Sequence, residues 1–108
     1  MRTINNMQEL DHLVGQGNIV IADFYADWCG PCQALLPTLD NVSKEFEGRV
    51  DVVKINVDDQ QELASRFGIR SIPTIIYFQN HKLVDKTIGI QTKGELGARI
   101  IAMEASKN

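Results

Sequence analysis

Apolar positions along this chain change their period several times, and each change predicts an element. Met7, Leu10 and Val14 recur at helical spacing, and Gly15 and Gly17 close that first helix. The run Ile19-Val20-Ile21-Ala22-Asp23-Phe24-Tyr25 is almost continuously apolar, which suits a strand covered on both faces, as in a parallel sheet. After the Cys29–Cys32 segment, Leu35, Leu39, Val42 and Phe46 line one face of a helix that ends near Gly48, with Pro37 inside it as an expected kink. Val50 to Val57 is rich in β-branched residues and predicts a second core strand. Asp58 and Asp59 are expected to cap a short helix from Gln60 to Phe67, which Gly68 terminates. Thr74 to Phe78 and Leu83 to Ile90 predict two strands joined through Asn80 and His81 as a hairpin. A last helix from about Lys93 to Met103 carries Leu96, Ile100 and Met103 on one side.

The order βαβ, helix, hairpin, helix predicts an α/β fold with a mixed sheet and helices on both faces. A length of 108 residues suits a single domain spanning 1–108. Hydrophobic residues make up 44% of it, enough for a core that needs no disulfide or metal staple. No apolar run approaches the ~20 residues of a membrane span, and the polar start Met1-Arg2-Thr3-Ile4-Asn5-Asn6 lacks the apolar stretch of a secretory signal. A cytoplasmic protein with no membrane partner is therefore expected. The formal net charge of −3, without a basic stretch, argues against nucleic acid as a partner.

Chemistry enters with Trp28-Cys29-Gly30-Pro31-Cys32, between a buried strand and a helix. Residues i and i+3 of a first helical turn share a face, with Cα atoms close enough for a disulfide. Unpaired N–H groups and the positive end of the helix dipole favour a thiolate at Cys29, and the thiolate is the nucleophile of disulfide exchange. Gly30 permits close approach of a partner backbone, and Pro31 presets the first turn. A structural zinc site wants four ligands. This chain offers the two cysteines plus His12 and His81, neither histidine at a finger-like spacing, so no metal is expected. Asp23 stands among Val20, Ile21, Ala22 and Phe24, and a carboxyl buried there is expensive unless neutral or partnered.

The motif and its surroundings resemble the thioredoxin family over nearly the whole chain. The resemblance rests on Ala22 to Cys32, Pro37, Lys54-Ile55-Asn56-Val57-Asp58, Gly68-Ile69-Arg70-Ser71-Ile72-Pro73-Thr74 and Gly89. It implies a thioredoxin fold and reduction of protein disulfides, with Cys29 as the attacking thiolate and Cys32 as the resolving thiol. It further implies that Asp23 and Lys54 form a buried acid and its partner, although a lysine on an exposed strand face is an ordinary alternative for Lys54. Pro73 matches a cis-proline, where a trans proline at a strand start is the plain alternative. The Ile72 backbone would pair with an extended substrate, and Trp28, Gly30, Pro31, Ile72, Gly89 and Ile90 would form an apolar docking surface. The implied partners are disulfide-containing proteins and a thioredoxin reductase that supplies electrons from NADPH. The chain itself is expected to be a monomer that binds no cofactor. Three positions depart from the family pattern: Gln33 replaces a usual Lys or Arg, Tyr25 a frequent Trp, and His81 the Gly of an Asn-Gly turn.

Overall fold

The computed structural model describes residues 1–106. The expected span 1–108 therefore ends on Lys107 and Asn108, which lie outside the described residues. In chain order the elements are β1 (Arg2–Thr3), α1 (Met7–Gly15), β2 (Ile19–Tyr25), α2 (Gly30–Glu45), β3 (Val50–Asn56), α3 (Gln61–Arg66), β4 (Thr74–Gln79), β5 (Lys82–Ile88) and α4 (Lys93–Ala105). One five-stranded sheet has the order β1-β3-β2-β4-β5. β1, β3 and β2 run parallel, whereas β4 is antiparallel to β2 and β5 to β4. The mixed sheet expected from the element order is thus the observed one.

Alternation along the strands sorts the core into two layers, because successive side chains point to opposite faces. Ile19, Ile21, Val50, Val52, Ile75 and Tyr77 pack against Leu35, Leu39, Val42 and Phe46 of α2 and its end, and against Leu96, Ile100 and Met103 of α4. On the other face Val20, Ala22, Phe24, Val53, Ile55, Ile76 and Phe78 meet Leu10 and Leu13 of α1 and Leu63 of α3. Every residue of β2 is buried, which is why its sequence shows no alternation. Asp23 has the parity of Ile19 and Ile21 and so belongs to the α2 side.

The structure adds one element and corrects two expectations. β1 carries no apolar signal; it exists because Arg2 and Thr3 pair with Val53 and Lys54, which lets Ile4 bury behind them at 1% exposure. Asp58 and Asp59 do not cap α3. Its N-cap is Gln60, with no side-chain hydrogen bond, and both aspartates lie in the turn before it. β3 stops at Asn56 and β5 at Ile88, so Val57 and Ile90 lie beyond the strands they were assigned to. Pro37 lies inside α2, Gly30 to Glu45, as its place in the sequence implied.

The hairpin turn forms despite its unusual residue. Asn80 and His81 both have positive φ, 55° and 69°, as a two-residue type I′ connection requires, and His tolerates that region better than most side chains. The His81 ring then lies over Gly17, where an added Cβ would fall 3.1 Å from Nε2. Gly17 thus leaves room for the imidazole.

Candidate active site

The cysteine pair stands where β2 hands over to α2. Cys29 is the N-cap of α2 in an extended conformation, Pro31 lies in the first turn, and the Cys32 N–H donates to Cys29 Sγ at 3.2 Å. A helix start offers unpaired N–H groups, and here one of them points at sulfur, which favours negative charge there. The two residues form a disulfide with Cα atoms 5.2 Å apart. Cys32 is fully buried. Cys29 is less open than its place at a helix start suggests, with only 6% of its surface exposed. Tyr25, Ala26, Cys29 and Cys32 form one cluster, covered by Val57 and Ile72.

The loop before β4 closes over this cluster. The Ile72–Pro73 peptide is cis, and the Ile72 carbonyl oxygen lies 3.9 Å from Cys29 Sγ. Thr74 Oγ1 donates to the Ser71 carbonyl, and the Gly89 N–H donates to the Pro73 carbonyl at 2.8 Å. Gly89 has φ +92°, a conformation only glycine adopts freely. Trp28, next to Cys29 in the chain, is 72% exposed, and Ile90, next to Gly89, 55%. Gly30 and Pro31 are also exposed, Ile72 and Gly89 half-buried, and a Cβ on Gly30 would meet open space. Of the six residues suggested for docking, Trp28, Gly30 and Pro31 flank the cysteines in sequence, Ile72 packs on them, and Gly89 is bonded to the Pro73 carbonyl.

Asp23 is completely buried, and neither carboxylate oxygen has a hydrogen-bond partner among the described residues. Desolvation pushes its pKa up from 3.8 to about 7, opposed by the positive charge of Lys54. Lys54 is its register neighbour on β3 and shares its face. The lysine is half-exposed, with Nζ 5.6 Å from the centroid of the Tyr25 ring, so it acts on Asp23 through space. The strand face at Lys54 is half open, and its charge still reaches the acid. Gln33 turns its amide back to donate to the Ala26 carbonyl at 3.3 Å.

Sequence reasoning missed the support beneath Trp28. Its Nε1 donates to Asp58 Oδ2 at 2.9 Å, while Asn56 Oδ1 accepts the backbone N–H groups of Asp58 and Asp59. The signal was the Asn56-Val57-Asp58-Asp59 run at a strand end, since Asn side chains bond their own backbone two residues on. Among the described residues no group of three or more His, Cys, Asp and Glu is placed to hold a metal.

A covered strand that delivers a dithiol to a helix start, with a second loop against its sulfur, can do one kind of chemistry. It opens and closes a disulfide, and the protein is a thiol–disulfide oxidoreductase of α/β architecture. Comparison with known proteins narrows the class. The thioredoxin family model matches residues 2–102. A thioredoxin of Rickettsia felis is 49% identical over 77 residues, covering 71% of this chain and 73% of the relative. One of Mycoplasmoides gallisepticum is 45% identical over 96 residues, covering 89% and 95%. Among solved structures, chloroplastic thioredoxin z superposes with a TM-score of 0.89 at 30% identity, covering 98% of this chain and 96% of that one. A mutant thioredoxin from Halobacterium salinarum gives 0.87 at 37%, covering 94% and 88%. The chain belongs to the thioredoxin family. Its reaction is protein-disulfide reduction by thiol–disulfide exchange between the Cys29–Cys32 dithiol and disulfide.

Proposed function

We propose that Cys29 is the attacking thiolate and Cys32 the resolving thiol. The observation that carries this assignment is the Cys32 N–H directed at Cys29 Sγ, while Cys32 itself is sealed from solvent. In the first step Cys29 thiolate attacks one sulfur of a substrate disulfide, forms a mixed disulfide and expels the other substrate sulfur as thiolate. Cys32 then gives its proton to the Asp23 carboxylate and attacks Cys29 Sγ. The Cys29–Cys32 disulfide forms and the second substrate thiolate leaves, so the substrate gains two electrons and this protein loses two. A carboxylate with a pKa near 7 is matched to that proton transfer at neutral pH. Lys54 holds Asp23 closer to its ionised form than burial alone would.

The substrate lies across Trp28, Gly30, Pro31, Ile72, Pro73, Gly89 and Ile90, with an extended segment against the Ile72 backbone. The exposure of Trp28 directly before an almost covered Cys29, with Ile90 also exposed, supports this reading. The physiological cycle is electron transport in the cytoplasm. A flavin- and NADPH-dependent thioredoxin reductase returns the disulfide to the dithiol, and this chain, a monomer, binds no cofactor of its own. No helix of the described residues is long and apolar enough to cross a membrane.

The test is a pair of cysteine variants. Cys32→Ser should accumulate mixed disulfides with protein substrates, visible on non-reducing gels, and Cys29→Ser should not. Turnover by Cys32→Ser at the parent rate would refute the two-thiol assignment.

A further inference from the structure

Trp28 is the most exposed large apolar side chain beside the disulfide, so something must restrain it if it is to present one docking surface. A polar contact does so: Nε1 donates to Asp58 Oδ2 at 2.9 Å. Asp58, however, is itself exposed and lies between β3 and α3, outside any regular element. A carboxylate on a free loop would give the indole little direction.

The loop is fixed from beneath. Asn56, the last residue of β3, is only 7% exposed, and its Oδ1 accepts the N–H of Asp58 at 2.9 Å and of Asp59 at 3.3 Å. Its carbonyl accepts the Gln60 N–H at 2.9 Å, and the Val57 N–H donates to the Tyr25 carbonyl at 2.9 Å. The turn from Asn56 to Gln60 is therefore tied at its start, middle and end. Tyr25 stands opposite Asn56 in the β2–β3 register and packs in the cluster that holds Cys29 and Cys32. A short, fully bonded path thus leads from the buried sheet to the indole. Residue 56 is also neutral. A carboxylate there would stand beside Asp58 and Asp59, whereas an amide oxygen accepts both N–H groups without adding charge.

We propose that Asn56 is a positioning residue for substrate docking, fixing through the Asp58–Asp59 turn the carboxylate that orients Trp28 over the disulfide. The inference rests on the docking role given to Trp28 above, and the experiment separates the two. KM and kcat are measured for insulin reduction by the full chain with dithiothreitol as recycling reductant. Trp28 fluorescence anisotropy is measured on the reduced protein. The sequence holds one tryptophan, so the signal reports on Trp28 alone.

Asn56→Ala is expected to raise KM about five- to ten-fold with kcat changed less than about two-fold, the split expected when binding alone is lost. Anisotropy should fall in parallel. Asp58→Ala should give the same pair of changes, and the double variant should be no worse than either single one, because both act on one path. Asn56→Ser, whose hydroxyl makes the same turn more weakly, should fall between parent and Asn56→Ala. Unchanged anisotropy and KM in Asn56→Ala, or additive effects in the double variant, would overturn the inference. Should Asn56→Ala fail to fold, the exposed Asp58→Ala and the milder Asn56→Ser decide it: parent-like values in both end the inference. Trp28→Ala is the control. If it leaves KM unchanged the docking reading itself falls; if it raises KM while the Asn56 variants do not, only the positioning role falls.

Discussion

At the scale of single residues, Asp23 shows how a group can be bad for the fold and good for the reaction. Its carboxyl is fully buried without a hydrogen-bond partner among the described residues, and its pKa rises to about 7. An acid whose folded pKa lies above its unfolded one binds its proton more tightly when folded. Stability is then unaffected below the unfolded value and is lost as pH climbs from 3.8 through about 7. Shifting a carboxyl this far corresponds to roughly 4 kcal/mol at pH 8 and above. Asp23→Ala should therefore unfold at higher denaturant than the parent at pH 8, by up to that amount, and the gap should close towards pH 4. Urea curves at the two pH values check it, and a variant less stable at pH 8 would contradict it. The same variant should resolve mixed disulfides about a hundred-fold more slowly at pH 7, the low end of what a positioned base contributes. Single-turnover reduction measures that step.

Among the elements, ends decide more than middles. α4 opens with a reciprocal cap: Thr92 Oγ1 accepts the Glu95 N–H at 3.1 Å and Glu95 Oε1 accepts the Thr92 N–H at 2.9 Å. Those bonds hold the Glu95 pKa below its ordinary value, so the cap is strongest above the carboxylate range and fades as pH falls through it. Thr92→Ala should lower stability by about 1 kcal/mol, read as a lower urea midpoint with an unchanged slope. α3 has no such cap, and the reason is instructive. Asp58 and Asp59 have the residue type a cap needs, yet the turn held by Asn56 leaves Gln60 at the N-cap, and the Trp28 indole takes the Asp58 carboxylate. Local propensity was legible; the competitor thirty positions away was not. β1 was illegible for a similar reason, since its two residues form a strand only by pairing with Val53 and Lys54. By contrast β2 and α2 were plain in the chain, because burial on both faces or on one stripe dictates residue type at every turn. β5 ends the sheet with a register shift, Tyr77 facing Asp85 and Phe78 facing Leu83. The extra residue, Val84, bends an edge that would otherwise invite pairing with another chain.

For the molecule as a whole, the sheet order sets a gradient of protection. β2 lies in the middle with β3 and β4 bonded to its two sides, whereas β1 and β5 have one neighbour each. Hydrogen exchange should find the amides of Val20 to Phe24 exchanging only through global unfolding and those of Arg2 and Thr3 by local fraying; equal protection of the two would contradict the gradient. The candidate site was legible to the extent that it lay along the chain. Cys29, Cys32 and the apolar setting of Asp23 could be read directly, whereas the near-complete cover of Cys29 by the Ile72 loop arises from folding. The cysteines are separated by only three positions. Linking so short a loop restricts the unfolded chain by roughly 2 kcal/mol, against about 4.7 for a hundred-residue loop. Charging and discharging the pair consequently moves the folding equilibrium by less than half of what a bridge closing a long loop would. In electrical language the polypeptide is the mounting and the two sulfurs are the contact: current passes through the contact, and the mounting feels less of it than a widely spaced pair would impose.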